Sequence, residues 1–239
     1  MKTIIFCTSY IDENNYKRYK NWTDYYFDKL GLFNSSGLFL IDDGSPNIFF
    51  DKRIDIHNSY ELPGSLKKNI NLFHFENRLG RSSIADYPGW WRSFSFSIKL
   101  VEKYDIDKII HIESDFYILS GRMIDYIEKL SSGWTAFYSK YYDFPETAIQ
   151  VICNDTFDKL YEIYERAVEQ NYKFDKLAEF IFPYTNVEKN FHGDRFGELN
   201  VLQGWLSKIE TPFNIDYIGQ MNEKHTLKDF ERFFQFDYL

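Results

Sequence analysis

Apolar residues come in short blocks separated by polar turns, and the spacing within each block assigns it to strand or helix. "TIIFCTSY" (3–10) is a β-type run. It leads into residues 14–30, where Tyr16, Tyr19, Trp22, Tyr26 and Leu30 recur at helical spacing and Gly31 stands near the expected end. "GLFLI" is a second strand stopped by the turn signal "DDGSP", and "INLFHF" is a third. In "YPGWWRSFSFSIKLVEKY" (87–104), Trp91, Phe94, Ile98 and Val101 mark the apolar face of one helix, which delivers the chain into the strand "KIIHI". Further on, "GWTAFYSKYY" and "TAIQVI" read as strands. Phe157, Leu160, Tyr161, Tyr164, Ala167 and Val168 trace a helix capped by Asn154 or Asp155. From Phe180 the chain mixes Gly, Pro, Asn and aromatics and reads as a region that closes over a site.

This alternation predicts an α/β fold with a mainly parallel central sheet flanked by helices. No repeat or linker divides the chain, so residues 1–239 read as a single Rossmann-like domain. In such sheets ligands sit outside the carboxyl ends of the strands. The polar clusters Thr8-Ser9, Asp42-Asp43, Glu76 to Arg81 and Glu113 to Asp115 all fall there.

Composition narrows the function. A formal charge of −8 with no basic cluster excludes a nucleic-acid partner, and an anionic ligand would need a local arrangement or a metal to offset that field. No apolar run approaches a membrane span, so contact with a membrane would be peripheral. Cys7 and Cys153 lie in apolar surroundings, as reduced thiols of a cytoplasmic protein do. The 20% aromatic content supports sugar stacking only weakly.

The stretch "KIIHIESDFYILSG" sets two acids inside an apolar run, although burying unpaired charge is costly. If the strand continues, Glu113 and Asp115 point the same way, and two hard oxygen donors suit Mg²⁺ or Mn²⁺. If it ends at Ile112, both acids are solvated or paired with Arg and Lys. His111, within the strand, reads as a core histidine. Consecutive residues face opposite sides, so only one of Asp42 and Asp43 is expected to face a ligand.

Taken together, the strand ending in Thr8-Ser9-Tyr10, the "DDGS" of Asp42 to Ser45, "ENRLGRSS" before a helix and the strand ending in "ESD" resemble the nucleotide-sugar glycosyltransferases of GT-A fold. The likeness covers roughly the first 120 residues. It implies a donor half over 1–120, an acceptor half over 121–239, and transfer of a sugar from a nucleoside-diphosphate sugar to a glycan, lipid-linked saccharide or protein. By this resemblance the donor is contacted by Thr8, Ser9, Tyr10 and Asp42 or Asp43, with Arg78 or Arg81 on the phosphates or sugar. Asp115 would hold a Mn²⁺ or Mg²⁺ bridging the diphosphate. Glu113 departs from the family's Asp-x-Asp motif, and would bind the metal through water or contact the ribose.

An inverting reaction needs a general base from the second half. Asp194 in "NFHGDRFGELN" and Glu146 in "DFPETAI" are the candidates, with Glu198 a poorer third. For Asp194 the alternative is a salt bridge to Arg195 or a loop cap. His192 is a candidate third metal ligand, against an ordinary surface histidine. Of Trp90 and Trp91 one ring is expected in the core while the other could line a sugar site, with packing the expected role for both; Tyr184, Phe191 and Trp205 are equally ambiguous.

Two other functions stay open. A sugar nucleotidyltransferase would carry a Gly-rich basic loop after the first strand, where this chain has "TSYIDENN". A catalytically inactive transferase-like protein that binds a nucleotide or glycan is kept open by Glu113.

Overall fold

The structure, a computed structural model, describes residues 1–46, 51–83, 85–198, 213–221, 226–231 and 233–235. In chain order the first half gives β1 (Thr3–Ser9), α1 (Tyr16–Phe27), β2 (Ser35–Asp42), β3 (Ile54–Asn58), β4 (Ile70–His74), α2 (Pro88–Ser95), α3 (Ser97–Tyr104), β5 (Lys108–Ile112) and β6 (Tyr117–Ile118). The second half gives α4 (Gly121–Lys129), β7 (Trp134–Ser139), β8 (Phe144–Cys153), α5 (Phe157–Tyr164), β9 (Asn186–Glu188), β10 (Gly193–Asp194), β11 (Phe213–Asn214), β12 (Tyr217–Ile218) and β13 (Phe234–Gln235).

The expected α/β architecture is found. Eight strands form one sheet in the order β3-β4-β2-β1-β5-β8-β7-β9. The first five are mutually parallel, β8 runs antiparallel to both its neighbours, and β9 is parallel to β7. Every residue of β1 and β5 is buried, which is what a parallel strand covered on both faces requires. Alternate β1 side chains feed two cores. Ile5 and Cys7 pack with Trp22 and Tyr26 of α1 and Met123 and Ile127 of α4, whereas Ile4 and Phe6 pack with Phe94 of α2, Leu100 of α3 and Leu160 of α5. A smaller sheet, β10-β12-β6, and the pair β11-β13 gather a third apolar cluster around Phe230 and Phe234. Cys7 and Cys153 are buried free thiols.

Several boundaries differ from the sequence reading. The first helix is confined to Tyr16–Phe27, and the long second one breaks at Phe96 into α2 and α3. The strand β3 and the helix α4 were not anticipated. Neither Asn154 nor Asp155 caps α5: its N-cap is Thr156, and Asp155 instead accepts from the Gly133 N–H at 2.8 Å. Past Tyr164 that helix widens into a π turn over Glu165–Glu169, so Ala167 and Val168 leave α-helical phase. Lys108 is buried with its Nζ donating to the carbonyls of Ile127, Glu128 and Leu130, closing the end of α4.

Candidate active site

Parallel order brings the carboxyl ends of β1, β2, β4 and β5 to one edge, and a cleft of about 700 Å³ opens there. Thr8, Ser9, Tyr10, Asp43, Arg78, Arg81, Glu113 and Asp115 all line it, from four separate stretches of the first half. Tyr142, Glu146, Glu179, Arg195 and Glu198 line it from the second half.

The two acids in the apolar run meet two different environments. β5 stops at Ile112, so Glu113 and Asp115 sit in the following turn, closed by Phe116 N–H on the Glu113 carbonyl at 3.0 Å, and strand alternation does not apply to them. Glu113 Oε1 accepts from Trp90 Nε1 at 2.5 Å, from Thr8 Oγ1 at 2.8 Å and from His111 Nε2 at 3.1 Å. His111 faces the Thr147 carbonyl at 3.1 Å through its other nitrogen, so both ring nitrogens meet oxygen atoms of the fold. The expected core histidine is therefore also a partner of the buried acid. Burial pushes the Glu113 carboxyl up, but His111, Trp90 and Thr8 outweigh it and hold the group below the usual carboxylate range.

Asp115 has no such partners. Among the described residues no other residue donates to its carboxylate, and burial, opposed by Arg18 and reinforced by Glu113, raises its pKa to about 6. The folded state then holds a proton that the unfolded chain releases near pH 4, so Asp115 lowers stability progressively as pH rises from about 4 to about 6. Because the side chain is only partly buried, the fall is about 1–2 kcal/mol. Asp115→Asn should flatten that part of the curve in urea unfolding between pH 4 and 7; an unchanged slope would show that Asp115 titrates normally.

At the end of β2 the two acids part as alternation requires. Asp42 is fully buried and accepts from Ser9 Oγ at 3.3 Å, the Ser45 N–H at 2.8 Å, the Ser45 hydroxyl and His74 Nδ1 at 2.9 Å, so it knits the turn and does not face the cleft. Asp43 lines the cleft, yet its carboxylate is engaged by Arg92, by Gly80 N–H at 2.8 Å and by Leu79 N–H at 3.2 Å. Two glycines permit this approach. Gly44 has φ +77°, and a Cβ there would meet Arg78 N at 2.6 Å; one on Gly89 would stand 2.0 Å from Asp43 Oδ2. Asp43 thus anchors the 77–80 loop, which carries Arg78. The Arg78 guanidinium lies 3.6 Å from the centre of the Tyr10 ring. Arg81 donates to the Ser83 carbonyl at 2.9 Å.

The second half departs further from expectation. Asp194 is buried outside the cleft lining, with Oδ1 accepting from Ser139 Oγ at 2.6 Å and Arg195 N–H at 2.9 Å and Oδ2 from Tyr141 N–H at 2.6 Å; it pins a loop. Glu146 does line the cleft but is clamped by Arg195, Nε to Oε2 at 2.7 Å and Nη2 to Oε1 at 3.0 Å. The same Arg195 reaches Glu179 Oε1 at 3.0 Å, and Glu198 takes the Tyr142 hydroxyl. His192 is exposed and outside the cleft lining, so it does not join Glu113 and Asp115. Among the described residues no three His, Cys, Asp or Glu side chains are grouped to hold a metal. With Glu113 Oε1 already taken by three donors, Asp115 is the one acid at this strand end whose carboxylate takes no donor from another described residue and could hold a metal.

Both tryptophans pack in the same apolar core, and Trp90 also lines the cleft. Trp91 is buried against Phe174, with ring centroids 4.1 Å apart. Tyr184 and Phe191 pack in the apolar cores, and Trp205 lies outside the described residues. Sequence reading missed Arg18, Tyr19, Glu179 and Arg195 as cleft residues. Arg18 and Tyr19 were legible only as parts of an amphipathic helix, and the other two sit in a segment without clear periodicity.

No protein-family model matches this chain, and no curated protein matches it at a significant level. Among solved structures the chain is similar to a glycosyltransferase involved in the glycosylation of the major capsid of PBCV-1, at 9% identity and a TM-score of 0.48, over 93% of this chain and 96% of that one. No helix among the described residues is long and apolar enough to cross a membrane.

Proposed function

We propose that this protein is a cytoplasmic glycosyltransferase of GT-A type that moves a sugar from a nucleoside-diphosphate sugar to a glycan, lipid-linked saccharide or protein acceptor, with inversion. The observation that carries the reading is the convergence of Thr8, Asp43, Arg78, Glu113 and Asp115, from the ends of four neighbouring strands, on one cleft. Those are the stretches on which the sequence resemblance rests.

In this reading Tyr10 and the Asp43 turn border the nucleoside, and the arginines of the first half face the diphosphate. Departure of the diphosphate leaves an oxocarbenium-like centre, and fixed cations beside the leaving oxygens lower that barrier. The proton of the acceptor hydroxyl needs a carboxylate with an oxygen to spare. Glu146 is held at both oxygens by Arg195, and Asp194 faces away. Glu179 gives Arg195 only Oε1, and among the described residues its Oε2 takes no donor, so Glu179 takes the role of base.

Thermal unfolding against a panel of nucleoside diphosphates and nucleotide sugars tests the donor site. One base should stabilise the protein by about 2.7 kcal/mol at ~100 times its dissociation constant. Glu179→Gln should retain that stabilisation while losing sugar transfer by 10²-fold or more. A folded protein that no nucleotide stabilises would remove the donor-site reading. Stabilisation without turnover of the bound donor would favour a binding protein instead.

A further inference from the structure

Apart from Asp115, the acids of the cleft are engaged within the fold, and two cations are left open. Asp43 is paired with Arg92, Glu113 with His111, and Glu146 and Glu179 with Arg195. Arg18, by contrast, donates only to the Tyr19 hydroxyl, at 3.1 Å, and its buried Nε has no partner among the described residues. No described carboxylate lies within ion-pair distance of it; Asp115 acts on it through space only. Arg78 has neither an ion pair nor a hydrogen bond from its guanidinium among the described residues, and the guanidinium lies over the Tyr10 ring. A guanidinium partly withdrawn from water without an anion at contact, as Arg18 is, is costly; with the exposed Arg78 lining the same cleft it offers an anion site in a protein whose overall charge is −8.

We propose that Arg18 and Arg78 together bind the diphosphate of the ligand, and that they do so without requiring a divalent metal ion. The inference rests on the donor-site reading of the cleft and deepens it. Planar guanidinium forks match phosphate oxygens two at a time. The two forks come from α1 and from the loop after β4 and line one cleft, which suits an anion with two phosphoryl groups. Both are oriented before the ligand arrives. The Tyr10 ring backs Arg78, and the Tyr10 N–H donates at 3.1 Å to the Tyr19 hydroxyl that accepts from Arg18. Glu113 is engaged by Thr8, Trp90 and His111 and His192 is elsewhere, so Asp115 alone is left to hold a metal, against two guanidinium forks.

The probe is inorganic pyrophosphate, titrated calorimetrically in EDTA and again with Mn²⁺. Wild-type protein should bind it in EDTA, with affinity falling as NaCl is raised. Arg18→Gln and Arg78→Gln should each weaken binding at least tenfold, and Arg18→Lys, which keeps the charge and loses the fork, should fall between. Should Arg18→Gln fail to fold, the exposed Arg78 decides the matter alone. Absence of binding in EDTA, or affinity indifferent to the two glutamine variants, overturns the inference. Nucleotide binding that requires Mn²⁺ and ignores both arginines would overturn it while leaving the donor site intact. Pyrophosphate binding with no gain from any nucleoside would do the reverse.

Discussion

Arg195→Met should cost about 3–5 kcal/mol of stability, a fall in Tm of roughly 10 °C for a chain of this size. The side chain of Arg195 is 17% exposed and stands between Glu146, at 1%, and Glu179, at 9%. Removing the cation strands two carboxylates where water does not reach them well. Burial already pushes the Glu146 carboxyl up, and Arg195 is the main force against it, so the variant's Glu146 would take up a proton at still higher pH. With that folded pKa well above the unfolded one, the folded state binds more protons and the variant loses stability as pH rises. Urea unfolding at pH 5 and pH 8 should therefore show the larger deficit at pH 8, and Glu146→Gln in the same background should recover part of it. A loss below 1 kcal/mol that does not change with pH would mean that the three groups do not act as a unit.

A loss of similar size is expected for Arg92→Met, with a functional consequence. Arg92 and Asp43 are both almost wholly buried, and Arg92 also donates to the Asn77 carbonyl at 2.6 Å. The pair therefore fixes both ends of the loop that presents Arg78. Leaving Asp43 uncompensated should cost about 3–5 kcal/mol, whereas Arg92→Met combined with Asp43→Asn should cost less than the sum of the single changes, by 1 kcal/mol or more. Nucleotide affinity should fall with the loop, at least tenfold in either single variant that stays folded at the assay temperature. Additive losses in the double-mutant cycle would show that Arg92 stabilises the protein through packing against Phe75, 4.0 Å from the ring centre, and not through Asp43.

Local chemistry in the chain determined the α/β class, four of the five mutually parallel strands and the edge of the sheet at which polar residues gather. β1, β2, β4 and β5 were legible because each is an apolar block bounded by turn residues. β3 escaped because, at the sheet's edge, Ile54 is buried while Ile56 is 45% exposed, so its apolar pattern is weak. The helix α4 escaped because it follows an apolar stretch directly and opens with glycine, and its signal is the Ser120 hydroxyl accepting from the Met123 N–H. Sequence also brought the right stretches to the cleft: Thr8 to Tyr10, Asp43, Arg78 and Arg81, and Glu113 to Asp115.

What sequence left undecided is which of these charges are spent on the fold and which face a ligand. Asp42 and Asp43 are neighbours of one residue type, and Asp194 and Glu146 are equally plausible acids by context. Their roles were assigned by partners far away in the chain: Arg92 for Asp43 and Arg195 for Glu146, each 49 residues distant, and Ser139 for Asp194, 55 residues distant. Glu113 and His111, two residues apart, are paired across the point where the strand ends, at Ile112. Periodicity reports how a segment meets water. Neutralising a buried charge depends on contacts within about 4 Å, and those form only when the tertiary fold brings distant segments together.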